Sequence, residues 1–171
     1  MVNREIKTKF KTNLTDLIDV LTNQKKLSEL NFTKFKFLEI KELTTANGTK
    51  TFTRRFVLNK EALELPEFMM SKIKPEYLEW EEIVCFDLEA NSGMFTIVPS
   101  LPVNYAQKFL CHGDFVFNSH ENGFVERQVN VKLDIKVPWI VKSTFESIAM
   151  NQVWLLLHHE KEVINDYLET T

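Results

Sequence analysis

The first residues alternate between apolar and polar side chains, a pattern that predicts a half-buried β-strand. Ile6, Thr8 and Phe10 share one face of this segment, and lysines occupy the other face. Lysines on the solvent side of a strand discourage pairing with a second chain. Helical spacing of apolar residues then predicts two short helices, at about residues 14–21 and 25–30.

Six further segments have the character of strands. They span about residues 32–45, 50–59, 77–89, 94–98, 106–117 and 125–137. Asn47 and Gly48 join the first two of them, and this dipeptide is a strong signal for a two-residue hairpin turn. Because hairpins connect neighbouring strands, the sheet is predicted to be antiparallel. A short helix carrying Pro66 is predicted within residues 61–73.

Pro138 ends the last strand and opens a long helix. A continuous apolar stripe over residues 139–168 predicts a helix about 45 Å long. No other predicted element is long enough to cover the apolar face of a seven-stranded sheet. The chain is therefore predicted to form an α+β fold, in which a curved antiparallel sheet wraps around the C-terminal helix. Such a sheet and helix naturally leave a cavity between them.

This order of elements resembles the START-like, or SRPBCC, superfamily with the helix-grip fold. That superfamily includes lipid-transfer domains, polyketide cyclases and plant pathogenesis-related allergens. The most specific match is the strand 129–137, Pro138 and the helix segment 139–148, which look like a bacterial, largely uncharacterised branch. The resemblance implies a single START-like domain over residues 1–171.

The resemblance also implies a function, the binding or transport of a hydrophobic or lipid-like small molecule between sheet and helix. Two alternatives stay open. One is a cyclase- or hydratase-type enzyme that uses polar residues inside the cavity. The other is an adaptor that binds another protein and has a filled cavity. No cofactor is expected for any of the three.

Composition excludes several other classes of protein. The chain has four glycines, at positions 48, 93, 113 and 123, so no dinucleotide-binding, P-loop or nucleophile-elbow motif can be written. Two cysteines are too few for a zinc finger or a disulfide scaffold. The first residues lack a signal segment, and the longest apolar run is far shorter than a membrane span. We therefore expect a cytoplasmic protein with reduced cysteines and at most peripheral membrane contact.

The net charge of −3 is unevenly distributed. Residues 1–75 carry a net charge of +6, and residues 76–171 carry −9. Either these charges pair within the fold, or a basic face lies near the mouth of the cavity and suits anionic head groups. The acidic balance, with no basic segment interleaved with aromatic residues, argues against nucleic-acid binding.

Two groups of polar residues were candidates for chemistry. His158 and His159 are adjacent, so on a helix they point about 100° apart and cannot bind the same metal ion. We expect His159 to be a helix histidine at the edge of the apolar stripe, next to Glu160. His112 and Asp114 alternate along one strand, so they either form a polar pair in the cavity or lie on the solvated face.

Glu82 shares a predicted strand face with Trp80 and Phe86, so it is expected to be buried and paired with Arg54 or Arg127. The pair could be structural or could position a ligand. Together, the residues predicted to line or cover the cavity are Phe56, Phe68, Met69, Trp80, Glu82, Phe86, Phe115, Arg127, Val131 and Phe145.

The segment Leu65–Ile73 is predicted to act as a gate at one end of the cavity. It brings together three large apolar side chains, those of Phe68, Met69 and Met70. Lys72 and Lys74 would place positive charge at the mouth and favour an anionic amphiphile. The alternative is a fixed plug that belongs to the core.

Overall fold

The computed structural model describes residues 1–62, 67–71 and 73–170, except for the side chain of Met69. Within these residues the strands are β1 (Val2–Phe10), β2 (Phe35–Ala46), β3 (Thr49–Leu58), β4 (Glu79–Asp87), β5 (Ser92–Pro99), β6 (Phe109–His120) and β7 (Phe124–Ile135). The α-helices are α1 (Leu14–Thr22), α2 (Gln24–Glu29), α3 (Glu67–Met70), α4 (Val103–Ala106) and α5 (Trp139–Thr170). Short 3₁₀ turns occupy Lys60–Ala62 and Pro75–Leu78.

The strands form one antiparallel sheet in the order β1-β7-β6-β5-β4-β3-β2. From β2 to β7 each strand pairs with the next one along the chain, and β1 joins at the free edge of β7. With α5 lying against this sheet, the predicted α+β helix-grip architecture is confirmed. No helix in the described part of the chain is both long and apolar enough to cross a membrane.

The first hairpin has the predicted turn. Asn47 and Gly48 have φ angles of 51° and 75°, and positive values at both positions are characteristic of a two-residue type I′ turn. The strand before it, however, begins at Phe35, three residues later than predicted. The backbone amides of Thr33 and Lys34 instead donate to Nε2 of His159 on α5, at 3.0 and 3.3 Å. Strand β2 therefore begins at Phe35, directly after the two residues whose amides bind α5.

The long helix packs mainly against β1 and β7, at one side of the sheet. Its Met150 and Ile164 are buried there, and the alternate β7 residues Val129, Val131 and Leu133 are buried as the sequence pattern predicts. Helix α5 makes fewer contacts with β3, β4, β5 and β6. Space therefore remains between the helix and this part of the sheet.

Candidate functional site

A cavity of about 430 Å³ lies between the sheet, α1 and α5. Its wall is mainly apolar and rich in aromatic side chains. Phe56 on β3 stacks with Trp80 on the neighbouring strand β4, at 5.2 Å between ring centroids. Phe86 on β4 stacks with Phe115 on β6 at 5.7 Å, across Gly93 of the strand between them. Stacked rings of this kind make a rigid apolar surface.

Two glycines shape the wall where β5 and β6 pair. Gly93 lies opposite Phe115 and Gly113 lies opposite Phe95. A Cβ atom at Gly93 would stand 2.5 Å from the Phe115 ring, and one at Gly113 would stand 2.8 Å from the Phe95 ring. Because glycine has no side chain, each phenyl ring can lie directly against the backbone of the neighbouring strand.

Most of the predicted ligand-binding residues lie together in this wall. They are Phe56, Trp80, Glu82, Phe86, Phe115, Arg127 and Phe145. Val131 is fully buried in the hydrophobic core outside the wall, because α5 packs on this part of β7. Phe68 also lies outside the wall, on α3, and is 67% exposed.

The gate segment is only partly described. The side chain of Met69 and all of Leu65, Pro66 and Lys72 lie outside the described residues. Within the described part, Phe68 points to solvent instead of covering the cavity. Lys74 is mostly exposed, at 3.9 Å from Glu76.

The charged side chains of the wall form a cluster of two arginines and two glutamates, in which Arg54, Arg127 and Glu160 are buried and Glu82 is partly buried. Arg54 donates to Glu82 Oε2 through Nε at 2.7 Å and to Glu160 Oε1 through Nη1 at 3.2 Å. Arg127 donates through Nη1 to Glu160 Oε2 at 2.6 Å. The Nε atom of Arg127 donates to the hydroxyl of Thr8 at 3.2 Å. The predicted pairing of Glu82 with Arg54 is confirmed, and Arg127 pairs with Glu160.

Attraction within the cluster favours the charged forms of Glu160 and Arg54. Burial alone would raise the pKa of Glu160, but the charges of Arg127 and Arg54 outweigh it and the pKa is lowered. Burial likewise opposes the charge of Arg54, and Glu82 and Glu160 outweigh that effect and raise its pKa. The four formal charges cancel, so the cavity carries a polar group without a net buried charge.

The contacts of Glu160 with Arg54 and Arg127 also indicate that the sheet is curved. Arg54 lies on β3 and Arg127 on β7, and three strands separate them. In a flat sheet these strands would stand about 19 Å apart. A single carboxylate contacts both guanidinium groups, so the sheet bends until its two sides approach the same point on α5.

The sequence analysis does not predict the role of Glu160 in this cluster. The sequence does contain a signal that Glu160 is buried. Glu160 stands four residues after Leu156 and four before Ile164, on the same side of α5 as these apolar residues. A carboxylate on a buried helix stripe needs a buried cation, and Arg54 and Arg127 both interrupt apolar strand faces.

The histidine candidates do not contribute polar groups to the cavity. His159 is buried and accepts two backbone hydrogen bonds, and burial lowers its pKa, so it is a neutral structural residue. His112 and Asp114 are exposed on the outer face of β6, where Asp114 accepts a hydrogen bond from Asn130 at 2.7 Å. Among the described residues, no group of three or more His, Cys, Asp or Glu side chains is arranged to hold a metal ion.

No protein-family model and no curated protein sequence matches the chain. Solved structures do match it. An aromatase/cyclase, Zhui from Streptomyces sp. R1128, is 6% identical with a TM-score of 0.57, covering 98% of this chain and 93% of that one. Norcoclaurine synthase from Thalictrum flavum is 13% identical with a TM-score of 0.56, covering 99% and 96%.

A START superfamily protein from Mycobacterium smegmatis is 9% identical with a TM-score of 0.55, covering 98% of this chain and 97% of that one. At these identities the likeness concerns the fold alone. It extends over almost the whole of each chain. The chain therefore has the START-like helix-grip fold.

Proposed function

We propose that this protein binds a small amphiphilic molecule in the cavity between the sheet and α5. The observation that carries the proposal is a cavity of about 430 Å³ with an aromatic, mainly apolar wall. Ligand pockets commonly measure about 300–1,000 Å³ and combine such walls with a few polar groups. An unfilled apolar cavity lowers stability, so a purely structural role would favour larger side chains there.

The apolar part of the ligand lies against Phe56, Trp80, Phe86 and Phe115, and its polar group lies at Glu82. Both nitrogen atoms of Arg54 that bond Glu82 go to Oε2. The other carboxylate oxygen, Oε1, is the acceptor we assign to the ligand. Because the charges of the cluster already cancel, an uncharged hydroxyl group fits it better than a carboxylate.

The sequence analysis instead expects Lys72 and Lys74 to make the cavity mouth favour anionic ligands, which competes with the preference of Glu82 for a hydroxyl group. The two preferences are separable by comparing a fluorescent fatty alcohol with the fatty acid of the same length. If Glu82 accepts a hydroxyl, Glu82→Gln weakens binding of the alcohol more than binding of the acid. If the lysines select the ligand, Lys74→Glu weakens binding of the acid instead.

The proposal itself is tested by filling the cavity. Ala149 on α5 lies in the wall, so Ala149→Trp places an indole ring inside the cavity. Ala90 is exposed in the β4–β5 turn, so Ala90→Trp is the matched control. We expect native mass spectrometry to detect an apolar adduct, or the wild type to bind the alcohol probe at one site. Ala149→Trp should weaken probe binding at least ten-fold, and Ala90→Trp should leave it unchanged.

Two results would overturn the proposal. One is a wild-type protein that carries no adduct and binds neither probe. The other is a folded Ala149→Trp variant that binds the probe as tightly as the wild type does. Circular dichroism and a urea unfolding curve establish that the variant is folded.

We further propose that the protein acts in the cytoplasm. Cys85 and Cys111 are both free thiols, the state that a reducing compartment maintains. Cell fractionation with an antibody against the protein tests the location, and recovery from an oxidising compartment would contradict it.

A further inference from the structure

We propose that one side of the cavity mouth is a docking surface for an anionic phospholipid membrane. The surface, called the rim below, consists of Val103, Tyr105, Lys108, Lys136, Trp139 and Ile140. It lies on the β5–β6 connection, the β7–α5 connection and the first turn of α5. The proposal goes beyond ligand binding and does not depend on which molecule fills the cavity.

The rim is one continuous part of the molecule. The backbone amide of Lys136 donates to the carbonyl oxygen of Lys108 at 2.7 Å, and Phe109 pairs with Ile135 at the same end of the sheet. Val103 and Tyr105 lie just before this junction on α4, and Trp139 and Ile140 begin α5 just after it. The two connections therefore present their side chains at the same end of the sheet.

The apolar side chains of the rim are unusually exposed. Trp139 is 85% exposed, and Val103 and Ile140 are each 72% exposed. Scattered exposed apolar residues need no explanation, but three large ones with a tyrosine at the same end of the sheet indicate an interaction site. Tryptophan and tyrosine are the residues enriched where a membrane meets water, because each combines an apolar ring with a polar group.

The charges of the rim select the kind of partner. Lys108 and Lys136 flank the apolar side chains, and neither forms an ion pair with a carboxylate in the described part of the chain. Residues 99–110 and 135–145 contain no Asp or Glu. The Nζ atom of Lys108 lies 5.8 Å from the centre of the Tyr105 ring, within the rim itself. Apolar side chains beside lysines without a carboxylate partner are complementary to anionic lipid head groups and the acyl chains beneath them.

The position of the rim supports a membrane as its partner. Pro99, Phe109 and Ile135 line the cavity and end or begin strands at this same edge of the sheet. Phe145, in the second turn of α5, also lines the cavity and is 39% exposed. A membrane that contacts the rim therefore lies beside the opening of the cavity.

Vesicle sedimentation tests the proposal. Wild-type protein is mixed at low salt with vesicles of phosphatidylcholine, either alone or with one-third phosphatidylglycerol. We expect binding to the anionic vesicles, weakened by added salt. Trp139→Ala/Ile140→Ser and Lys108→Glu/Lys136→Glu should each weaken binding at least ten-fold. The matched controls, Met94→Ser and Lys9→Glu/Lys25→Glu, change exposed residues outside the rim and should bind as the wild type does.

Tryptophan fluorescence gives an independent readout. Trp139 is the most exposed of the three tryptophans, since Trp80 and Trp154 are partly buried. Anionic vesicles should shift the emission to shorter wavelength, and brominated lipids should quench it. Trp139→Phe should remove both effects. The cavity-filling variant Ala149→Trp should still sediment with vesicles, because docking does not require an open cavity.

Three results would overturn the proposal. The first is a wild-type protein that stays in the supernatant with anionic vesicles at low salt. The second is that Trp139→Ala/Ile140→Ser and Lys108→Glu/Lys136→Glu both sediment with the vesicles as much as the wild type does. The third is a wild-type dimer, measured by light scattering, that Trp139→Ala/Ile140→Ser converts to a monomer, because the rim would then be a contact between two copies of the protein.

Discussion

Glu160 on α5 accepts a 2.6 Å hydrogen bond from Arg127 on β7, and both side chains are more than nine-tenths buried. The contact joins the long helix to the sheet beside the cavity. Removing two charges from water is costly, and their attraction offsets that cost only while both partners remain. The loss of either partner therefore leaves an uncompensated charge in the interior.

Glu160→Gln should strongly destabilise the fold. Arg127 would lose its carboxylate partner, and breaking a buried ion pair in this way costs about 3–5 kcal/mol. Urea unfolding followed by circular dichroism measures the loss. Glu162→Gln is the control, because Glu162 is exposed and its contact with Lys161 spans 3.8 Å, so it should change stability by less than about 0.5 kcal/mol. Equal midpoints for the two variants would contradict the structural role of Glu160.

The contribution of Glu160 should also depend on pH. Its pKa in the folded protein is lowered from the ordinary value of 4.5, since the attraction of Arg127 and Arg54 outweighs the effect of burial. A lowered folded pKa gives stability above the unfolded value, which is lost as the pH falls through the folded value. The difference in unfolding free energy between wild type and Glu160→Gln should be constant near neutral pH and shrink below pH 4.5. A difference that grows on acidification would refute this assignment.

Along α5, the cost of truncation should follow burial against β1 and β7. Met150 is almost fully buried, so Met150→Ala should cost about 2–5 kcal/mol. Phe145 lines the cavity mouth and is partly exposed, so Phe145→Ala should cost about 1 kcal/mol or less, although the sequence pattern places Phe145 on the apolar stripe. Thermal or urea denaturation compares them. A larger loss for Phe145 would mean that the mouth of the cavity is closed.

Glycine replacements should distinguish close packing from backbone strain. At Gly113 a methyl group would meet the carbonyl oxygen of Asn130 and the Phe95 ring, so Gly113→Ala should cost more than about 3 kcal/mol. Gly123 has a φ of 79° and no neighbour within 4 Å, so Gly123→Ala should cost only about 1 kcal/mol. Unfolding curves for the two variants test this order, and a reversed order would show that Phe95 lies elsewhere.

The two thiols should react very differently. Burial raises the pKa of Cys111 to about 12, with a smaller effect from Glu82, whereas Cys85 is exposed. Because only the thiolate reacts, a disulfide reagent near neutral pH should label one thiol in the native protein and two in urea. Rapid labelling of both thiols in the native state would show that the interior opens readily.

The strands were largely predictable because each carries its own pattern. Alternation in β7 identified its buried face, and the Asn47-Gly48 dipeptide identified the hairpin. The start of β2 was not predictable, since it depends on hydrogen bonds to His159, more than a hundred residues away in sequence. The helical turn at Val103–Ala106 occupies the end of a loop predicted over residues 99–104 and the first residue of the strand predicted at 106–117, and four residues are too few to show a periodicity.

The candidate site was predictable only in part, for the same reason. Alternation placed Glu82 and Phe86 on the face that lines the cavity. Val131 has the same phase as Arg127, but alternation within one strand does not show which part of the face the helix covers. The contact of Glu160 with Arg54 spans 106 positions and depends on how far the sheet bends.

The pairing of β1 with β7 determines when the protein can finish folding. Val2 lies opposite Leu133 and Phe10 opposite Val125, so β1 has a partner that is synthesised more than a hundred residues later. Strands β2 to β6 can form hairpins as they leave the ribosome, but β1 must wait until β7 has followed. Contacts between such distant segments slow folding. Lys7 and Lys9 lie on the solvent face of β1. During synthesis, before β7 is available, their charges disfavour pairing of β1 with another nascent chain.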